Sequence, residues 1–153
     1  MISVSDTSCP LDLGAIASLY ASGHRDFSQL DGVGGNLEHK LLARAVLVKA
    51  NLRGADLRNT TFIRADLSGA CLRQALMHHA ILDEAILWKA DLSQAHLRGT
   101  SFRRAILAGA DLRSKHLWRS QLEGAYYDAN TLFPQGFDPL AAGMLAIASD
   151  WMP

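Results

Sequence analysis

Large apolar side chains recur along this chain at every fifth position. The series runs Leu42, Leu47, Leu52, Leu57, Phe62, Leu67, Leu72, Met77, Leu82, Leu87, Leu92, Leu97, Phe102, Leu107, Leu112, Leu117, Leu122, Tyr127 and Leu132, with no small or polar residue among them. Two positions before each centre stands a second, smaller series. It is Ala at most places from Ala45 to Ala125, the exceptions being Lys40, Thr60, Thr100, Lys115, Ser120 and Asn130. A period of five suits neither regular element. On an α-helix it advances about 140° beyond each full turn, so the centres would spiral round every face. On a flat strand an odd step sends successive centres to opposite faces.

Two residues apart in an extended segment, Ala and Leu do point the same way. The pattern is therefore satisfied by a short extended piece followed by a sharp bend, repeated. If each bend is near a right angle, four units close a square coil of about 20 residues, and coils stack at roughly 4.8 Å. Large centres fill the bore, and the small Ala leaves room for backbone near each wall. Gly54, Gly69, Gly99, Gly109 and Gly124 fall at the bends, where a positive φ suits glycine. The fold class expected is an all-β solenoid of about five 20-residue coils.

Units such as Ala50-Asn51-Leu52-Arg53-Gly54, Ala55-Asp56-Leu57-Arg58-Asn59 and Ala65-Asp66-Leu67-Ser68-Gly69 resemble the A-(D/N)-L-x-x signature of the pentapeptide-repeat family. The resemblance implies a right-handed quadrilateral β-helix. It is strong from Leu37 to Leu132 and weaker back to Phe27. The segments from Tyr20 to Phe27 and from Thr131 to Pro139 resemble the opening and closing pieces of cyanobacterial members. Gly32 stands where a Leu is expected, which predicts a distorted first coil or a small insertion between Phe27 and Leu37.

A stacked solenoid leaves unpaired backbone at both ends, so the termini should be caps. Residues 1–26 are read as an N-terminal segment with a short helix over 11–21, residues 27–133 as the β-helix, and residues 134–153 as a C-terminal cap. The cap is expected to be helical, with Asp138 as N-cap, Pro139 in the first helical position, and Leu140, Met144, Leu145 and Ile147 on the apolar side. Phe133 and Phe137 are expected to plug the last coil.

With a 20-residue coil, positions 20 apart stack, and this sorts the outward residues into four walls. The wall of Leu47, Leu67, Leu87, Leu107 and Tyr127 is the most apolar: Val46, Val48, Ile86, Trp88, Ile106 and Tyr126 flank its centres. They form the candidate partner surface, since such a patch exceeds what a solvated wall needs. Cover by the protein's own tails, or no role, are the plainer readings. The wall of Leu52, Leu72, Leu92 and Leu112 carries Asp91 and Asp111 beside Arg53, Arg73 and Arg113, which should largely neutralise one another; an arginine ladder for phosphate is the sharper alternative. The wall of Leu57, Met77, Leu97 and Leu117 carries His96 and His116 one coil apart, with Arg58 and Arg98 as neighbours. A metal site needs three or four convergent ligands, so a solvated ladder is expected there. The wall of Leu42, Phe62, Leu82, Phe102 and Leu122 mixes Arg44, Arg64, Arg103 and Arg104 with Asp83, Glu84 and Glu123.

Bulk properties change this picture little. The chain has 153 residues, 15 basic and 15 acidic side chains and a formal net charge of zero. Such a balance makes nucleic acid an improbable partner. Two cysteines, Cys9 and Cys71, make no disulfide framework. Residues 1–10 carry no basic residue and no apolar run, and no apolar stretch of about 18 residues occurs, so neither a secretory signal nor a membrane span is expected and the cytoplasm is the default. There is no G-x-S-x-G elbow, P-loop or CxxC pair, and a filled bore offers no concave pocket, so no catalytic residue, cofactor or metal is expected. The reading is a non-enzymatic protein-interaction or scaffold module that uses a flat wall or an end, with an unidentified protein partner or a homodimer. Family members that copy DNA in shape and negative charge act on topoisomerases. That alternative is disfavoured by zero net charge and arginine-studded walls.

Overall fold

The computed structural model describes residues 13–148. The described part begins with helix α1, Leu13–Ala21, which buries Leu13 and Ile16. Residues 11 and 12, included in the expected helix, lie outside the described residues. The helix ends where Gly23 turns to φ 98°. Gly23 N–H donates to Tyr20 O and His24 N–H to Leu19 O, both at 3.0 Å, so two terminal carbonyls are satisfied by one left-handed glycine. The Tyr20 hydroxyl then donates to Ala43 O at 2.8 Å and ties the helix to the repeat.

From Asp26 onward the chain coils with a 20-residue repeat of parallel backbone bridges. One column joins Asp26, Val46, Asp66, Ile86, Ile106 and Tyr126 in succession, and three more columns run beside it. Each five-residue unit uses its N–H groups the same way. Leu47 N–H donates to Asp66 O at 2.7 Å, Lys49 N–H to Ser68 O at 2.8 Å, and Asp66 N–H returns to Ala45 O at 2.9 Å. Ala50 N–H closes the bend onto Leu47 O at 3.0 Å. The second bend residue sits at positive φ whether it is glycine (Gly69, 65°) or not (Lys49, 57°; Lys89, 54°), as a type II turn requires.

That accounting leaves one N–H per unit, the residue just after the centre, without a backbone partner. Where an Asp or Asn stands before the centre, its side chain supplies it. Asp66 Oδ1 accepts from Ser68 N–H, and Asp91 Oδ1 from Ser93 N–H, both at 2.9 Å; Asp111 accepts from Arg113 N–H at 3.0 Å. The acidic or amide position of the signature is thus a local cap on the bend.

The bore is packed solid. Leu52, Leu57, Leu67, Leu72, Met77, Leu82, Leu87, Leu92, Leu97, Phe102, Leu107, Leu112 and Leu117 have no exposed surface, and Phe62 and Leu122 almost none. The Ala series beside them is equally buried. Where Thr60 and Thr100 replace Ala, they are fully buried and their hydroxyls donate to Leu37 O and Met77 O at 2.7 Å.

Four expectations are corrected. There is no insertion between Phe27 and Leu37: Asp31 pairs with Asn51 and Asn36 with Asp56, in full register. The missing centre at Gly32 is filled by Leu13 of α1, whose Cδ1 lies only 1.5 Å from where a Cβ on Gly35 would stand. Next, the coil loses a residue near Ser114, whose N–H donates to Leu112 O at 2.7 Å. As a result Lys115, rather than His116, pairs with His96; a 3-10 turn, Leu117–Arg119, then restores register at Gln121. Thirdly, Leu132 is not an inward residue. Asp111 pairs with Leu132, one residue late, so Leu132 is 45% exposed and Phe133 packs on the core instead. The extra residue is absorbed by a bend in which buried Asp128 accepts from Gly109 N–H at 2.8 Å and from the Thr131 hydroxyl at 2.9 Å.

Lastly, the described part of the C-terminal cap, residues 134–148, is not a helix. Asp138 does accept from Leu140 and Ala141 N–H, at 3.0 and 3.1 Å, but a single turn follows. Gly143 at φ 76° ends it. The chain then pairs as a strand, β2 (Leu145–Ala146), parallel to β1 (Tyr126–Tyr127). One more backbone rung satisfies the open end of the last coil, which a helix laid across it would leave unpaired. Phe133 stacks on Phe137 with centroids 5.3 Å apart, both packed against the core.

Candidate functional site

The wall singled out for its apolar residues is flat and built from two columns. The bridging column reads Val46, Asp66, Ile86, Ile106, Tyr126. The neighbouring column holds Val48, Ser68, Trp88, Ala108. Val46, Val48, Ile86, Trp88, Ile106 and Tyr126 are each half-buried, and Ile86, Ile106 and Tyr126 follow one another directly in the bridging column. Asp66 and Ser68 cut the two valines off from the rest, so the continuous apolar part is the C-terminal half. Lys89 Nζ lies 4.1 Å from the Trp88 ring centre and covers part of it.

β2 extends this wall. Leu145 N–H donates to Ala125 O and Ile147 N–H to Tyr127 O, both at 2.8 Å, which places Leu145 as the next rung after Tyr126. Leu145 is 48% exposed. The patch therefore runs Ile86, Ile106, Tyr126, Leu145, with Trp88 alongside. Leu145 is a member that sequence reasoning missed, because it was placed in a helix. The alternation of Leu145, Ala146 and Ile147 is the only local sign of a strand.

Apolar residues in the bridging column forgo the bend cap. Val46, Ile86 and Ile106 offer no acceptor to the N–H two residues on, where Asp66 on the same wall does. A cap of this type is worth about 0.5–1.5 kcal/mol. The rod's own hydrogen bonding thus does not account for isoleucine at these places.

The other walls differ in charge. On the wall of Leu52 and Leu112, Arg113 pairs with Asp111 at 2.6 Å and Arg73 approaches Asp91 at 3.9 Å. On the wall of Phe62, Arg64 pairs with Glu84 at 2.7 Å, and Asp83 accepts from the Ser101 hydroxyl and from Arg103 N–H. On the histidine wall, Arg58 is held by Asp56 at 2.6 Å and Glu38 at 3.3 Å. Further along, the rings of His78 and His96 are 5.7 Å apart, and those of His96 and His116 6.3 Å apart. Burial, together with neighbouring positive groups, holds His78 and His96 below the ordinary imidazole value. Among the described residues no group of three or more His, Cys, Asp or Glu side chains is placed to hold a metal ion. Cys71 is a free, half-buried thiol; Cys9 lies outside the described residues. No described helix is long and apolar enough to cross a membrane.

A bore filled by stacked Leu, Phe and Ala, walls of Asp- and Asn-capped bends, and a four-unit coil define a pentapeptide-repeat β-helix. The family model for pentapeptide repeats matches eight copies over residues 41–78 and 80–119, just over half of the chain, and the protein belongs to that family. The right-handed quadrilateral β-helix is the family's fold. Among solved structures, the chain is similar to alr5209, a pentapeptide repeat protein from Nostoc Pcc 7120, at 31% identity and TM-score 0.68, over 92% of this chain and 100% of that one. It is similar also to Rfr23 from the cyanobacterium Cyanothece 51142, at 26% identity and TM-score 0.69, over 71% and 88%. A pentapeptide repeat protein from the Arabidopsis thaliana thylakoid lumen matches at 28% identity and TM-score 0.61, over 64% and 68%. No curated protein matches the chain.

Proposed function

We propose that this protein is a non-enzymatic interaction module that docks an apolar face of a partner protein on the wall of Ile86, Trp88, Ile106, Tyr126 and Leu145. One observation carries the reading: Ile86, Ile106, Tyr126 and Leu145 follow one another as uncapped apolar rungs in one column, whereas apolar bridging residues on the other walls, such as Leu41, Leu76 and Ile81, are separated by polar ones. The side chains are half-buried by their own stacking, and a partner would remove the remainder from water at about 25 cal/mol per Å2. Trp88 supplies the aromatic anchor typical of interface centres. A DNA-like regulator of a topoisomerase needs a negatively charged rod. Here two walls are ion-paired, and the far part of the histidine wall is positive.

Ile106→Asn tests the reading without harming the rod, because Asn restores the family's own cap. The variant should melt within a few degrees of the natural protein and lose partners that the natural protein retains on affinity capture, as should Trp88→Ala. Capture that survives both substitutions in folded protein would sink the proposal. Light scattering distinguishes a second copy as the partner: the mass would double and return to one chain in Ile106→Asn.

A further inference from the structure

The histidine wall changes character along the rod. Its first two coils carry Glu38 and Asp56, both engaged by Arg58. Its later part carries Arg98, Lys115 and Arg119, all exposed, and no described carboxylate forms an ion pair with any of them. His78, His79, His96 and His116 stand among these cations. Lys115 Nζ lies 3.4 Å from His96 Nε2, so that ammonium finds a ring nitrogen where the other walls offer a carboxylate. His78 Nδ1 is buried with no hydrogen-bond partner among the described residues. Net neutrality of the whole chain thus hides a segregated positive face.

We infer that this face binds an acidic segment of a partner protein through Arg98, Lys115 and Arg119, and that protonation of His78 and His96 tightens the complex. Three stacked coils span roughly 10 Å between the outer rungs, the length of about three extended residues. The face therefore suits a short cluster of Asp and Glu side chains rather than a long polyanion. Its borders reinforce this. Asp91 and Asp111 are engaged by Arg73 and Arg113 on one neighbouring wall and Glu84 by Arg64 on the other, so ion pairs flank the face on both sides. Nucleic-acid binding draws its strength from many phosphate contacts, which three fixed cations do not supply.

Histidine makes the surface pH-sensitive in one direction. His78 is faced by His116, His79, Arg58, Arg98 and His96, with Asp56 the nearby carboxylate. His96 is faced by Lys115, His78 and His116. Both rings are held neutral at pH 7.5 by burial and by these positive neighbours. Lowering the pH through the depressed values adds charge that repels the fixed cations, and an acidic ligand relieves that repulsion. Binding is therefore coupled to proton uptake.

A fluorescein-labelled peptide of five Glu-Ser repeats is the probe, followed by anisotropy with the full chain at 50 mM NaCl. Binding should be at least about fivefold tighter at pH 5.5 than at pH 7.5, and should weaken steeply with salt. Arg98→Ala/Lys115→Ala should weaken it about tenfold, as should Arg119→Glu, with circular dichroism confirming the fold. His78→Gln/His96→Gln should keep binding at pH 7.5 and lose part of its pH dependence, and adding His79→Gln/His116→Gln should remove the rest. Arg73→Ala on the next wall and Ile106→Asn on the apolar wall should leave it unchanged, which separates this surface from the one proposed above. No binding at pH 5.5, binding that survives loss of Arg98 and Lys115, or tighter binding of a ten-nucleotide oligothymidylate would overturn the inference.

Discussion

Leu13 serves as a borrowed core residue, and this can be tested by moving it. Gly32 and Gly35 stand where the repeat places its large centre and its following Ala. Both are vacated for Leu13, which is 8% exposed. A Cβ on Gly32 would meet Leu52 Cδ2 at 3.0 Å and Leu13 Cδ2 at 3.2 Å. Leu13→Ala leaves a hole at the open edge of the first coil. Burial of this degree costs about 2–5 kcal/mol on truncation, and edge relaxation favours the lower part, about 2–3 kcal/mol. Alanine is a better helix former than leucine, so loss of helix propensity cannot explain the effect. In a solenoid the damage stays local. Native-state hydrogen exchange should show the amides of Gly32, Gly34 and Leu37, bonded to Asn51, Arg53 and Asp56 carbonyls at 2.8–2.9 Å, opening about 30- to 150-fold more often. Amides of Leu67 and Leu87, deep in the stack, should not change. Gly32→Leu alone should overfill the coil. Combined with Leu13→Ala it should recover much of the lost protection, because it puts the centre back where the repeat has it. Uniform loss of protection along the rod, or strictly additive single and double effects, would refute the plug.

Thr100→Val removes the hydroxyl bond to Met77 O while conserving volume; the carbonyl keeps its bend partner Ala80 N–H, so thermal unfolding should show a loss of about 1 kcal/mol rather than the larger cost of an orphaned group. Asp128 is buried, which raises its pKa, but donors from Gly109, Thr131 and Asn130 outweigh this and hold it below the ordinary carboxylate value. Its stabilising effect is therefore full above about pH 4 and lost as pH falls through the depressed value; exchange protection of Gly109 N–H should drop over that range, and Asp128→Asn should abolish the dependence.

The fivefold series from Leu42 to Tyr127 was enough to set the coil, its period and its contents. The units carry their own instructions: a large side chain that must leave water, a small one that lets backbone approach, a residue that takes positive φ and, in some of them, an Asp or Asn that caps the bend. Interactions of that kind are local, and stacking only repeats them, so the walls could be sorted before any coordinates. The ends were not legible, because there the chain departs from the repeat. Gly32 reads as a defect until Leu13 is seen beside it, some twenty residues earlier. Loss of one residue near Ser114 and gain of one near Asp128 leave the spacing of Leu117 and Tyr127 intact. Only the bridges of Lys115 and Leu132 show which residues have changed faces. Asp138-Pro139 is a sound helix start, yet the open rung above Tyr126 and Tyr127 takes the chain as β2, since unpaired backbone at the end of a stack costs more than a short helix returns. The same contrast divides the surfaces. The sequence named Ile86, Trp88, Ile106 and Tyr126, because columns follow from the period. Leu145 on that wall, and the unopposed cations Arg98, Lys115 and Arg119 on another, were decided by tertiary structure, where register shifts and ion pairs on neighbouring walls determine which charges are left to face a partner.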